Sequence, residues 1–258
     1  MLGAIAGDII GSVHEFGPPA TPETPLFQPR SHFTDDTILT LATARCLVDG
    51  VDYATAYREA YQANRAQSWG MRFIEWGKDP SMGPYNSFGN GSAMRVSPIA
   101  FWARDLDEAL LEAKRSAEVT HDHPEGIRGA QATVHAAFLA RQGVSASAIL
   151  AAIRAHHGYP LDEPVPVIQR TSRYNETCQG TVPPAIRIAC NAESFDDAMS
   201  ICISLDADTD TLACITGGIA EARFGMPNHV VNAVNSRLLP EQRELIERYW
   251  TLVSDRLA

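Results

Sequence analysis

Read for its hydrophobic and polar positions, the chain is helix after helix. Apolar residues recur at three- and four-residue spacing over 2–14, 35–48, 52–67, 105–119, 124–141 and 146–157, the signature of amphipathic or buried helices. The second segment is closed by Asp49-Gly50 and the sixth by Gly158-Tyr159-Pro160, both stop signals. An irregular stretch runs through Gly91, and a short helix is predicted over Ser92–Ala103. After the Pro-rich loop LDEPVPV, helices resume near Pro183 and continue at 195–205, 209–224 (stopped by Gly225 and Pro227) and 240–256. Strict alternation is scarce, and VPVIQ is too short to carry a sheet. No repeat or low-complexity linker divides the chain. The expectation is an all-α fold, one compact multi-helix orthogonal bundle over 1–258. In the first helix Gly3, Gly7 and Gly11 fall on one ridge, where another helix can approach closely despite glycine's low propensity.

Composition narrows the function classes. With 258 residues, 45% of them hydrophobic and 20% charged, the chain can bury a substantial core. A formal net charge of −10 argues against nonspecific binding to nucleic acid or anionic membrane. MLGAIAGDIIGS lacks a basic n-region and carries Asp8, which does not read as a signal peptide. No uncharged apolar run is long enough for a membrane span. Five cysteines form no C-x-x-C, and Cys178, Cys190, Cys202 and Cys214 match no zinc spacing. They read as small core residues in a reducing cytoplasm. No heptad seam is present, and a monomer is expected.

Two short runs about 170 residues apart carry the first candidate chemistry: Thr34-Asp35-Asp36, and Asp208, Asp210 and Thr211. Each sits where a polar segment becomes a helical pattern. Carboxylate and hydroxyl oxygens are ligands for hard cations such as Mg²⁺, and two acidic helix starts facing each other would make a two-metal site. The same residues are also favoured N-caps, so capping is the competing reading. Asp8, Ser12 and Glu15 share one face of the first helix. Glu15 stands at a helix C-terminus, a poor place for an anion, just before the proline-rich 16–30 loop, whose composition suits a gate over a site. Gly89-Asn90-Gly91 can expose backbone N–H groups, and Ser92 then opens a helix, a ready anion site; a GNG tripeptide alone marks only a turn. His121-Asp122-His123 before Pro124 reads either as ligand-facing or as a polar cap.

GAIAGDIIGSVHE, FTDDT, YNSFGNGSAMRVSPIA, THDHPEGIRGAQAT and DADTDTLACITGGIAEARFG occur in the order seen in the ADP-ribosylglycohydrolases. The chain resembles that family from Met1 to about Pro227. The resemblance implies an all-helical fold with a centre of two Mg²⁺ (or Mn²⁺), held by Thr34, Asp35, Asp36, Asp208, Asp210 and Thr211. It further implies that Glu15 lies beside the metals under a mobile loop, that Phe88 and the Gly89–Ser92 loop hold ADP-ribose, and that His121 lines the same pocket. Many relatives carry two glycines where this chain has Asp206-Ala207; Asp206 either adds charge near the metals or points to solvent. The implied reaction is hydrolysis of the bond between C1″ of ADP-ribose and an acceptor on a protein or small molecule. Its oxocarbenium-like states give Glu15 and Asp36 the roles of proton acceptors. A two-metal hydrolase of nucleotides or phosphoesters and a non-catalytic, crystallin-like relative are the alternatives. The acceptor, whether arginine, serine, nucleobase or metabolite, stays open.

Overall fold

In the computed structural model, which describes residues 1–257, the pattern becomes helices and turns, with no strand among the described residues. The first half holds α1 (Leu2–Gly11), α2 (Asp35–Asp49), α3 (Tyr53–Ala63), α4 (Met71–Lys78), α5 (Gly91–Met94), α6 (Ser97–Trp102), α7 (Leu106–Glu118) and α8 (Pro124–Arg141). The second holds α9 (Ala146–His157), α10 (Val165–Thr171), α11 (Cys178–Asn191), α12 (Phe195–Ile203), α13 (Thr209–Phe224), α14 (Asn228–Asn235) and α15 (Pro240–Leu257). One hydrophobic cluster runs through them. Its axis is α13, buried at every position from Thr209 to Glu221 and packed against α1, α8, α11 and α12. No described helix is long and apolar enough to cross a membrane.

The glycine ridge of α1 explains how α13 sits where it does. A Cβ on Gly7 would lie 1.9 Å from the Ala213 carbonyl oxygen, and one on Gly3 would lie 2.2 Å from that of Gly217. At Gly11 it would meet the Asp210 Cα at 2.5 Å. The two helices therefore touch backbone to backbone, and the last contact presses on a residue of the second acidic run.

Several boundaries differ from expectation for local reasons. α1 ends at Gly11, where His14 N–H donates back to the Gly11 carbonyl (2.8 Å), so Glu15 leaves on a turn and Asp8 and Glu15 do not share a helix face. The expected Ser92–Ala103 helix is two pieces, because Pro98 has no N–H to offer the Met94 carbonyl; Cys214 and Thr40 side chains approach that oxygen instead (3.3 and 3.4 Å). The Pro-rich segment is not all loop. Pro164 is the N-cap of α10 and Pro166 lies in its first turn, where proline initiates a helix. α11 begins before its prolines, capped by Thr177 Oγ1, which accepts from Gly180 N (3.1 Å). The unanticipated α4 is pinned by Phe73 and Trp76, buried in an aromatic cluster with Tyr61 and Trp69.

Candidate metal centre and ligand cavity

The α2 N-terminus is held from below by a carboxylate of α1. Asp8, fully buried, accepts from Thr34 N (2.9 Å), Thr34 Oγ1 (2.7 Å), Thr37 N (3.0 Å) and Thr37 Oγ1 (2.5 Å). This ties α1 to α2 and aims the following two aspartates at α13. Thr211 Oγ1, in the first turn of α13, donates to Asp36 Oδ2 at 3.3 Å. The two acidic runs thus meet.

Capping accounts for only part of this arrangement. Thr34 is a true N-cap, its hydroxyl accepting from Asp36 N (3.3 Å). Asp208 occupies the N-cap position of α13 yet makes no capping hydrogen bond; its Oδ2 accepts instead from Asn90 Nδ2 (2.8 Å). Carboxylate oxygens of Glu15, Asp208 and Asp210 lie within 4.8 Å of one another. Asp36 Oδ1 is buried with no hydrogen-bond partner, which is costly unless something cationic or protic meets it. Burial, and then the charge of Asp210, push Asp35, Asp36 and Glu15 above the usual carboxylate range, Glu15 to about 8. Burial also raises Asp208 to about 6 and, with Asp208's charge, raises Asp210. A crowded, desolvated, oxygen-only set with an orphaned carboxylate oxygen fits a hard divalent cation.

These side chains share one cavity of about 320 Å³. Asp35, Asp36, Asp208, Asp210, Thr211 and Glu15 line it, together with Gly89, Asn90, Gly91 and His121. A larger, mostly apolar hollow of about 640 Å³ lies by the α2–α3 turn and α7; it shares no residue with the carboxylates, so size does not make it the site.

Three of the expected site residues are placed differently. Thr34 is not on the cavity wall, because its hydroxyl is turned to Asp8. Ser92 is fully buried, donating to the Gly126 carbonyl at 2.7 Å, which leaves its side chain no reach into the cavity. Phe88 is 44% exposed and packs on His123, with ring centres 5.2 Å apart, outside the cavity. Asn90 does face the cavity, but its amide also donates to Thr181 and Asp208, so it orients a carboxylate. His123 caps α8, its Nδ1 accepting from Glu125 N (3.0 Å). Asp206 is exposed and points to solvent. The 16–30 loop is tied down by Ala20 N–H to the Ile203 carbonyl (2.8 Å) and by Leu26 and Phe27 packed on the core.

The cavity also has walls that were not anticipated: Arg72, Tyr85, Arg95, Tyr174 and Glu176. Tyr174 donates to Glu176 (2.7 Å) and its ring centre lies 6.3 Å from that of the exposed Phe16. Their only sequence signal is position, Tyr85 and Arg95 flanking the glycine loop and Tyr174-Asn175-Glu176 just preceding α11.

Fold and site together define an all-helical protein with a buried, carboxylate-lined cavity. The chain belongs to the ADP-ribosylglycohydrolase family, whose model matches residues 1–257; it is a glycohydrolase of that family. It is similar to the mouse ADP-ribosylhydrolase ARH3 (26% identity, covering 88% of this chain and 83% of the relative). It is similar also to the ADP-ribosylarginine hydrolase Tri1 of Pseudomonas putida strain GB-1 (26% identity, 88% and 70% coverage). Among solved structures, an ADP-ribosylglycohydrolase-related protein complex superposes with a TM-score of 0.74 at 22% identity, covering 99% of this chain and 96% of that one.

Proposed function

We propose that this protein hydrolyses the glycosidic bond between C1″ of ADP-ribose and an acceptor on a protein or small molecule, releasing ADP-ribose. The observation that carries this reading is the meeting of the two acidic runs, with Glu15 beside them, in a cavity also lined by Arg72, Arg95 and His121. Sugar hydroxyls suit the carboxylate side, and a diphosphate suits Arg72 and the N–H of Gly91, since the N–H groups of Gly89 and Asn90 already donate to Ser87 and Glu176.

Asp35, Asp36, Asp208, Asp210 and Thr211 would hold two divalent cations, Mg²⁺ or Mn²⁺, with Thr34 supporting them through Asp36. When bound, such cations orient vicinal hydroxyls and lower the pKa of a bound water. Asp8 holds the α2 start in register, and Asn90 fixes Asp208. Glu15 is half-buried and reachable from the cavity; as the C1″–acceptor bond breaks, its carboxylate takes a proton from the attacking water and returns a proton to the departing acceptor atom, so that it ends the cycle unchanged. The five unpaired, buried cysteines suit a reducing compartment such as the cytoplasm.

The test is a hydrolysis panel of arginine-, serine- and nucleobase-linked ADP-ribose with Mg²⁺ and with Mn²⁺. Free ADP-ribose as product supports the reading. Release of phosphate, or no turnover on any linkage, defeats it.

A further inference from the structure

Behind the glycine loop lies a buried cation to which the proposed chemistry gives no individual role. Arg95, in the turn between α5 and α6, has no exposed surface. Its guanidinium stands 4.3 Å from the centre of the Tyr57 ring. Nη2 donates to the Ser116 carbonyl (2.7 Å) and to Thr120 Oγ1 (2.9 Å). A guanidinium can only donate, so Thr120 Oγ1 is an acceptor there. Thr120 is itself fully buried, and its hydroxyl oxygen lies 2.8 Å from His121 Nδ1.

The single hydroxyl hydrogen of Thr120 then has one acceptor among the described residues, and that is Nδ1. Were Nδ1 protonated, Thr120 Oγ1 would have to accept from both Arg95 and the ring, and the hydroxyl hydrogen would be orphaned in a buried place. Charging the ring is opposed too: burial, then Arg95, hold His121 well below the usual histidine range. The neutral ring must therefore carry its proton on Nε2. That nitrogen has no protein hydrogen-bond partner among the described residues. It lies 3.3 Å from where a Cβ on Gly91 would stand and 3.5 Å from one on Gly89, so it faces the loop that lines the cavity.

We propose that Arg95 and Thr120 are positioning residues, a buried relay that locks His121 as a neutral Nε2–H donor aimed at an oxygen of the bound ligand. Identifying that oxygen as one of ADP-ribose rests on the function proposed above; the relay itself does not. Glycine at 91 leaves the donor its approach, since a Cβ there would press on Nε2 at 3.3 Å.

Long-range ¹H–¹⁵N spectra of the histidine rings in the free protein read the tautomer directly, with His121→Asn assigning the signal. The wild type should show a neutral ring protonated at Nε2. Thr120→Val keeps the buried volume but removes the hydroxyl; it should displace the Nδ1 resonance and weaken calorimetric ADP-ribose binding about 3-fold or more, while Thr120→Ser restores both. A wild-type His121 protonated at Nδ1, or charged at neutral pH, overturns the relay, as does a folded Thr120→Val protein with both readouts unchanged. If ADP-ribose binds none of the proteins, the ligand assignment fails and the wild-type tautomer alone decides the relay.

Discussion

Gly7→Ala tests the packing on which the site is built. In most helices this exchange is stabilising, because alanine exceeds glycine in helix propensity by about 1 kcal/mol. Here the new Cβ would stand 1.9 Å from the Ala213 carbonyl oxygen and 2.7 Å from Cys214 N. Reaching even 3.0 Å from that oxygen requires a shift of 3.0 − 1.9 = 1.1 Å, and the obstacle is backbone, which cannot rotate aside. Overpacking of a core costs about 1–3 kcal/mol, occasionally more, and backbone against backbone belongs at the upper end. Net of propensity, the loss is roughly 2 kcal/mol, which for a chain of this size lowers Tm by roughly 4–8 °C. Thermal melts of wild type and variant in the same buffer measure it. Because α1 carries Asp8 and α13 carries Asp210, activity should fall more than stability alone explains at a temperature where both proteins are folded. An equal or higher Tm for Gly7→Ala would refute the close α1–α13 approach.

Three further outcomes are expected. Asp8→Asn puts an amide donor among four donors that now converge on a carboxylate, and should cost about 1–3 kcal/mol in urea unfolding; a neutral result would mean that Asp8 does not anchor the α2 start. His135 Nδ1 and His157 Nε2 lie 3.1 Å apart, and burial first, then neighbouring imidazoles, hold both down from 6.5 to about 4. The unfolded chain therefore takes up protons first as pH falls, so the pair's contribution is complete above about 6.5 and lost toward pH 4. The Tm gap between wild type and His157→Gln should shrink across that window, and a gap independent of pH would contradict it. Glu15→Gln keeps shape but cannot accept a proton, so kcat should drop on the order of 10²-fold or more while calorimetric ADP-ribose binding persists; unchanged turnover would leave Glu15 without a part in the reaction.

Long, periodic helices were legible in the sequence because burial and periodicity agree there, as in 124–141, 146–157 and 209–224. α4, α10 and α14 were not, since each has only seven or eight residues, too short for a period to declare itself, and tertiary burial rather than propensity holds them. Asp35, Asp36, Asp208 and Asp210 could be read as a pair of acidic helix starts, but their meeting depends on a backbone contact that only the Gly3–Gly7–Gly11 ridge foreshadowed. Side-chain direction was beyond reach. Nothing in the string GNGSAMR tells that Ser92 turns inward to Gly126 while Arg95 stacks on Tyr57, because both partners come from distant elements. Tyr174 and Glu176 join the cavity for the same reason.

The claim at the centre is that two distant acidic runs make one cation site. Counting Mn²⁺ by equilibrium dialysis and EPR, in wild type, Asp36→Ala and Asp210→Ala, tests it most directly, because each variant removes a carboxylate from a different run. Two ions bound per chain are expected in the wild type, with binding weakened in both variants although each remains folded by circular dichroism. Undiminished Mn²⁺ binding in either variant, or none in the wild type, would contradict the site.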